Sequence, residues 1–391
     1  MSKGHAGHKI SDGILSKKFE NSALWRLKVR LQFSGWLQYF PNALLTVIFL
    51  TLSFIGVWSG VAPLLFFWVP FCLGTVLFAN LLFDLVTVKW AMRPPEPLPK
   101  PRDGLDAFDL MRARRSCRSF QSRKLTDEHR KALLEAVEMY SRPEHLLGDS
   151  PIRFEYVDVP LTVWPVVGAH EFLVAIAPKT YDRMAVIDVG RSLQKVVVRA
   201  TQMGLGTCWI GPGADQQSIA KRLGERFCPD EDHIICVCAI GYASWFKPLL
   251  IRVMHRVNSR RLPLSSLFFA GVDFQEPLAV ASESFSVYER CYEVCQWAPS
   301  SFNSQTSRCT AVVEETAEGG KQLARFDFGA ATHSRYYAPV AVGIWCANWE
   351  LGCEALGLPG AFRILTPNER KVDNPPELPR YDVSWIVKSS G

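Results

Sequence analysis

The chain has 391 residues, 48% of them hydrophobic and 12% aromatic, enough for one large domain or two ordinary ones. Its formal charge of +6 invites a nucleic-acid reading, but residues 1–102 hold eleven Lys/Arg against Asp12, Glu20, Asp84 and Glu96, a net of +7, so the other 289 residues carry −1. A phosphate-tracking surface needs its basic cluster on the folded domain, so no nucleic-acid partner is expected.

In chain order, Ser22–Tyr39 mixes Leu, Trp, Phe and Val with basic residues and reads as an amphipathic helix lying on a membrane surface. Between Arg30 and Asp84 there is no Asp, Glu, Lys or Arg. Within that span Asn42–Ser59 and Leu64–Val88 are each long enough to cross roughly 30 Å of hydrocarbon. Gly60-Val-Ala-Pro63 is the turn between them, Pro70 is expected to kink the second helix, and Trp58, Trp68 and Trp90 suit the interfaces. The competing reading is a buried core hairpin. The run starts too late and is too long for a cleaved signal peptide. Lys17, Lys18, Arg26, Lys28 and Arg30 precede the hairpin and Lys89, Arg93, Lys100 and Arg102 follow it. The positive-inside rule then puts both ends on the cytosolic side, with a segment 1–40, a transmembrane hairpin 41–92 and a cytosol-facing remainder.

The eleven cysteines are scattered, without a CxxC pair, which fits a reducing compartment. Cys236/Cys238 and Cys291/Cys295 have spacings that could hold a metal, but no His cluster accompanies them; they read as buried thiols and no metal is expected. His5 and His8 belong to an N-terminal tail. Five prolines within Arg93–Arg102 make a stiff linker over 93–102, and the soluble domain is expected from Asp103 to the end, 103–391.

Arg114-Arg115-Ser116-Cys117-Arg118-Ser119 sets three guanidinium groups and two hydroxyls in six residues. Such a turn is either a solvated basic loop or a site for phosphate or another planar anion. Thr126–Tyr140 reads as a helix with Thr126 as its N-cap and Leu133, Leu134 and Val137 on one face. Arg153–Val159 and Glu171–Ala177 read as strands, Asp188 as the cap of a helix ending at Gly204, and Ile234–Ile240 as a strand buried on both faces. Helices alternating with buried strands make the class α/β or α+β. Asp188-Val-Gly190 leads to Gly204-Leu-Gly-Thr-Cys-Trp209, and Asp327-Phe-Gly329 is expected to open a second helix leading to Gly343-Ile-Trp-Cys-Ala-Asn-Trp349. Upstream, Ser150-Pro-Ile-Arg153 and Gln305-Thr-Ser-Arg308 each lead into a strand, the second over Cys309–Glu314. This predicts two pseudo-repeats, about 103–270 and 271–391.

Arg-Arg-Ser-x-Arg-x-Phe from Arg114, Gly-Leu-Gly-Thr-Cys-Trp-Ile-Gly from Gly204, and Ala-Pro-Ser-x-x-Asn-x-Gln from Ala298 resemble the signature vocabulary of FMN-dependent nitroreductases. Ordinary members place the Ala-Pro-Ser motif before the Gly-Leu-Gly turn. The reversed order is similar to nitroreductases of the TM1586 type, in which one chain mimics the usual dimer. The resemblance covers roughly residues 108–390 and leaves the hairpin outside. It implies a nitroreductase-like α+β fold, one FMN between two halves of a monomer, NAD(P)H as reductant, and a small electron-poor acceptor such as a nitroaromatic or quinone.

By the same resemblance, Arg114, Arg115, Ser116 and Arg118 would hold the flavin phosphate, and Trp209, Ile210 and Gly211 would lie beside the N5 edge of the ring. Pro299, Ser300, Ser301 and Asn303 match positions that reach the flavin from a partner subunit, and Arg260 and Arg261 match a second phosphate-binding pair. The flavin carries the chemistry, so no catalytic side chain is expected. Two departures stand out: Thr306-Ser307 where the family has Pro-Trp, and Trp297 before Ala298, both of which re-line the substrate pocket. Reductive dehalogenation on the same fold and a flavin-free membrane scaffold are the rival readings.

Overall fold

Residues 22–60, 62–257, 260–315, 319–372 and 376–388 are described by the structure, a computed structural model; His5, His8, Lys17 and Lys18 lie outside them. Helix α1 (Ala23–Phe33) turns at Gly35 into α2 (Phe40–Ser59), which ends on Gly60 with φ 62°. The return limb is helical from Leu64 to Lys89: a π-helical turn Leu64–Trp68, α3 (Val69–Asp84), and a second π-helical turn Leu85–Lys89. Pro70 lies inside this continuous limb, just after the first π-helical turn, where its missing N–H removes a helix hydrogen bond. The limbs meet closely at Gly74, where a Cβ would lie 2.7 Å from a Leu50 methyl, and Asn42 Nδ2 donates to Asn80 Oδ1 at 3.2 Å. Each limb is apolar and long enough to cross a bilayer. Their flanks are bare: Phe54, Trp58 and Leu64 are 66%, 83% and 69% exposed.

The proline-rich stretch after the hairpin is fastened to the domain that follows it. Arg93 donates to Ser244 Oγ (2.7 Å) and to the Phe120 carbonyl (2.9 Å). The buried Glu96 carboxylate accepts from Ser244 Oγ and from the Trp245 N–H, and Gln121 Nε2 donates to the Pro97 carbonyl.

Beyond α4 (Ala107–Ala113), helix α5 (Asp127–Ser141) starts where Thr126 Oγ1 accepts from the His129 N–H. Strands β1 (Arg153–Val157) and β2 (Glu171–Pro178) precede helix α6 (Arg183–Gln202). Then follow β3 (Gly206–Ile210), α7 (Gln216–Leu223), β4 (Asp232–Gly241) and α8 (Leu249–Val257). The four strands form an antiparallel sheet of order β1-β2-β4-β3, and β4 is buried from Ile234 to Gly241. Cys236 and Cys238 lie within it as buried thiols.

The second half adds β5 (Phe268–Ala270), β6 (Glu276–Pro277), α9 (Glu289–Gln296), β7 (Ser307–Glu315) and β8 (Lys321–Ala330). After these come α10 (Tyr337–Leu356), β9 (Gly360–Arg363) and β10 (Arg380–Val387). Its sheet runs β6-β5-β7-β8-β10-β9. The block β7-β8-β10-β9 repeats the order of the first sheet. Arg183 and Tyr337 open the two long helices 154 residues apart, the same offset that separates Gly206 from Gly360. The fold is therefore α+β with two pseudo-repeats, and α6 and α10 pack on each other at its centre.

Three expectations change. Helix α6 is capped by Asp182, whose carboxylate accepts from the Met184 N–H; Asp188 is a full turn inside, buried, and accepts from the Leu147 and Gly148 N–H groups. Asp327 opens no helix: it sits in β8, paired across to Ser384, and Ser384 Oγ donates to its carboxylate. Asp188 and Asp327 therefore occupy different elements, although each stands sixteen residues before a glycine, Gly204 and Gly343; the repeat is carried by the strands and the two long helices. Finally, Phe268–Ala270 pairs in parallel with Cys309–Ala311, so the tail of the first half is a strand of the second sheet.

Candidate cofactor site

A cavity of about 360 Å³ opens where the start of α10 faces the end of β3. Its floor is the arginine segment. Ser116 bridges Thr207 on β3 and the Cys117 N–H donates to the Thr207 carbonyl at 2.8 Å, so the segment runs alongside β3 at this point. Gly206 permits this: a Cβ there would sit 2.8 Å from Cys117 Sγ. Gly204, at φ 80°, turns the chain out of α6 beneath the Lys100 carbonyl. The first two glycines of the Gly-Leu-Gly motif thus build the floor rather than touch a ligand, while Gly211 faces the Tyr337 ring.

Arg114 is 4% exposed, and its Nε and Nη1 have no partner among the described residues. Arg118 Nε and Arg261 Nε are likewise buried and unpartnered. Burial, with Arg261 and Arg115 close by, pulls the Arg114 guanidinium down to about 10. Burial and Arg115 lower Arg261 as well. Arg114, Arg115 and Arg261 repel one another, and these buried N–H groups on Arg114, Arg118 and Arg261 have no acceptor among the described residues, a state that an anion would relieve.

The side wall is the loop 297–305. Phe302, Asn303 and Gln305 have φ of 53°, 57° and 48°, a left-handed run that non-glycine residues adopt at a cost of about 1–3 kcal/mol each. Asn303 spends both ends of its amide on holding that shape, donating to the Arg260 carbonyl and accepting from Arg261 Nη1, each at 2.8 Å. Gln305 Oε1 accepts from the Leu262 N–H at 2.8 Å. Arg260 itself does not line the cavity; its carbonyl is the anchor. Pro299, Ser300 and Ser301 do line it, as do Trp209 and Ile210. Trp297 carries two guanidinium groups: Arg115 and Arg261 each stand 5.4 Å from the centre of its ring.

The sequence motifs omit half of the walls. Tyr337, Val340, Ala341 and Ile344 face inward from α10 at spacings i, i+3, i+4 and i+7. Such a spacing marks a helix face, but nothing in the sequence distinguishes a cavity wall from core. Trp164 and Pro165 close another side. Lys28 and Gln32 from α1 and Met254 from α8 cover the cavity, and no local pattern signals it. An apolar slot with a cationic floor suits a flat aromatic group bearing an anionic arm.

A family model described as "Putative TM nitroreductase" matches residues 106–338. Among solved structures, a nitroreductase from Thermotoga maritima aligns at 16% identity and a TM-score of 0.41 over 72% of this chain and 94% of that one. An FMN-dependent nitroreductase from Clostridium difficile aligns at 20% identity and 0.29 over 35% of this chain and 88% of that one. A nitroreductase with bound FMN from Bacteroides fragilis aligns at 16% and 0.30 over 36% and 89%. No curated protein matches the chain.

Proposed function

We propose that this chain, which belongs to the family described as "Putative TM nitroreductase", is a membrane-anchored oxidoreductase that holds one FMN between its two repeats. It would use NAD(P)H to reduce a small electron-poor acceptor. The observation that carries the reading is the set of buried, unpartnered guanidinium nitrogens on Arg114, Arg118 and Arg261. The residues present fit FMN: a phosphate answers those cations, and the apolar walls from Trp164, Ile344 and Tyr337 answer an isoalloxazine ring. When bound, FMN supplies reversible two-electron hydride chemistry.

The chain's own part is binding, orientation and exclusion of water. Arg114, Arg115, Ser116 and Arg118 hold the anionic arm. The backbone of Trp209, Ile210 and Gly211 lines the edge of the ring, Gly211 because its lack of a side chain leaves 3.1 Å to Tyr337 for any added Cβ. Pro299, Ser300 and Ser301 wall the opposite repeat's side. Asn303 lines the cavity as well and fixes Arg261.

The membrane reading is supported by the bare apolar flanks of α2 and the Leu64–Lys89 limb, which water would penalise by roughly 25 cal/mol per Å² of apolar surface. With Lys89 and Arg93 after the second limb, the catalytic domain faces the cytosol. The visible spectrum of the purified full-length protein tests the central claim. A flavin band that bleaches anaerobically on NAD(P)H is expected; a correctly folded, colourless protein that takes up no FMN overturns it.

A further inference from the structure

The cavity is covered by the two segments that border the apolar hairpin. On one side is α1, which contributes Lys28 and Gln32 and is separated from α2 by a single turn. That turn is tied to the far end of the hairpin, since Lys89 Nζ donates to the Ser34 carbonyl and stands 4.8 Å from the Trp36 ring centre. On the other side is α8, which contributes Met254. Its first N–H, on Leu249, donates at 2.9 Å to Asp84, near the end of the second limb, and Arg252 reaches the same carboxylate at 3.8 Å. Phe83 and Phe246 pack beside this joint with ring centres 6.1 Å apart.

The roof therefore stands at the level where the apolar limbs end. It also carries the apolar exposure expected of an interface: Val253 on α8 is 47% exposed, and Trp245, just before it, 73%. On the adjoining wall the Phe302 ring is 77% exposed, held out by a strained backbone rather than tucked into the core. A water-borne acceptor gains nothing from such an entrance. An amphiphile does, because its tail stays in apolar surroundings while its head enters a polar, cationic slot.

Resting on the flavoprotein reading above, we propose that the acceptor is a quinone with a long apolar tail, drawn from the bilayer between α1 and α8. The balance is NAD(P)H plus one proton plus quinone giving NAD(P)+ plus quinol. A hydride, which is one proton with two electrons, leaves the nicotinamide; the quinone carbonyls become hydroxyls, and the second proton comes from water.

The test uses the full-length, FMN-loaded protein in phosphatidylcholine vesicles with NAD(P)H and two quinones of identical head group, one bearing only methyl groups and one a long isoprenoid tail. The tailed quinone is expected to give a kcat/KM at least tenfold higher, and dilution with quinone-free lipid at constant bulk concentration is expected to slow it. Met254→Glu should lower the tailed-to-untailed ratio at least tenfold. A photoactivatable tailed quinone should label peptides containing residues 23–33 or 249–257, with or without NAD(P)H. Equal use of both quinones, no effect of lipid dilution, or label confined to α2 and α3 overturns the proposal while leaving the flavoprotein reading intact. A protein that oxidises no NAD(P)H with any acceptor overturns both.

Discussion

Gly190 on α6 and Val340 on α10 are in backbone contact: a Cβ built on Gly190 would lie 2.3 Å from the Val340 carbonyl oxygen. The pseudo-repeat returns the contact, since a Cβ on Gly343 would lie 2.0 Å from the Ile187 carbonyl oxygen and 2.8 Å from the Arg191 nitrogen. The two long helices thus cross on a pair of glycines, one from each repeat, and the crossing sets how far the start of α10 stands from β3.

Gly343→Ala should break this crossing. Alanine gains about 1 kcal/mol of helix propensity, but the added methyl meets backbone, which cannot rotate away, and overpacking of this kind costs about 1–3 kcal/mol or more. We expect a net loss of stability by denaturant titration and weaker FMN uptake, because Tyr337, Val340 and Ala341 move with α10. Gly104→Ala, which meets nothing within 4 Å, serves as the neutral control.

One FMN per chain is the second expectation. The cavity uses the start of α10; the matching place on α6 is Arg183, 154 residues before Tyr337. That arginine is spent on a two-pronged pair with Asp382, Nη2 to Oδ2 at 2.8 Å, and the Asp188 carboxylate nearby takes the Leu147 and Gly148 N–H groups. A neutralised arginine offers a phosphate nothing. Flavin released by acid and measured against protein by amino-acid analysis should approach one per chain at saturation; a value near two would show that the second repeat has a working site.

How much of this was readable in advance depended on how local each signal is. The hairpin was legible because a run without charges needs no partner to interpret it. Thr126, β2 and β4 were legible from capping chemistry and unbroken apolar runs. Arg114, Trp209 and Pro299 could be gathered because their motifs are local, even though three different elements carry them. Asp327 misled because Asp-x-Gly resembles a helix start, whereas Gly329 is there for a close strand contact, 2.3 Å from the Arg380 carbonyl for any added Cβ. The roles of Asn303 and of Lys28 were out of reach for the same reason: each depends on a partner far away in sequence, Arg261 in one case and the whole cavity in the other.

Asp188 should make stability depend on pH. Burial pushes its carboxyl up to about 6, against the pull of the two N–H donors and Arg191. The folded state therefore holds this proton more tightly than the unfolded chain, where the carboxyl titrates near 4. The contribution is fully present below about pH 4 and lost as pH rises through 6, about 2–3 kcal/mol in all. Asp188→Asn stays neutral throughout and can still accept both N–H bonds. The stability of the variant minus that of wild type should climb by about 2 kcal/mol, the larger part of that amount, between pH 4.5 and 7.5, measured by urea unfolding at each pH. A flat difference would mean that the donors already offset the burial.

Arg114 gives the sharpest test, because its replacement should have opposite effects on the two forms of the protein. Without cofactor the guanidinium is buried, two of its nitrogens are unpartnered, and Arg261 and Arg115 repel it. An unsatisfied buried group costs about 1–3 kcal/mol, more when charged. Arg114→Met keeps most of the side-chain volume and removes that burden, so the apoprotein should melt higher than wild type. With FMN the sign reverses: loss of a charge-assisted bond to the phosphate removes about 1.5–3 kcal/mol of affinity, roughly ten- to a hundredfold in Kd. Since ligand binding stabilises the folded state by an amount set by its concentration relative to Kd, the melting curves of wild type and variant should cross as FMN is added. Arg118→Ala should share the loss of affinity. An Arg114→Met apoprotein less stable than wild type would falsify the view of this segment as an anion site waiting for its ligand.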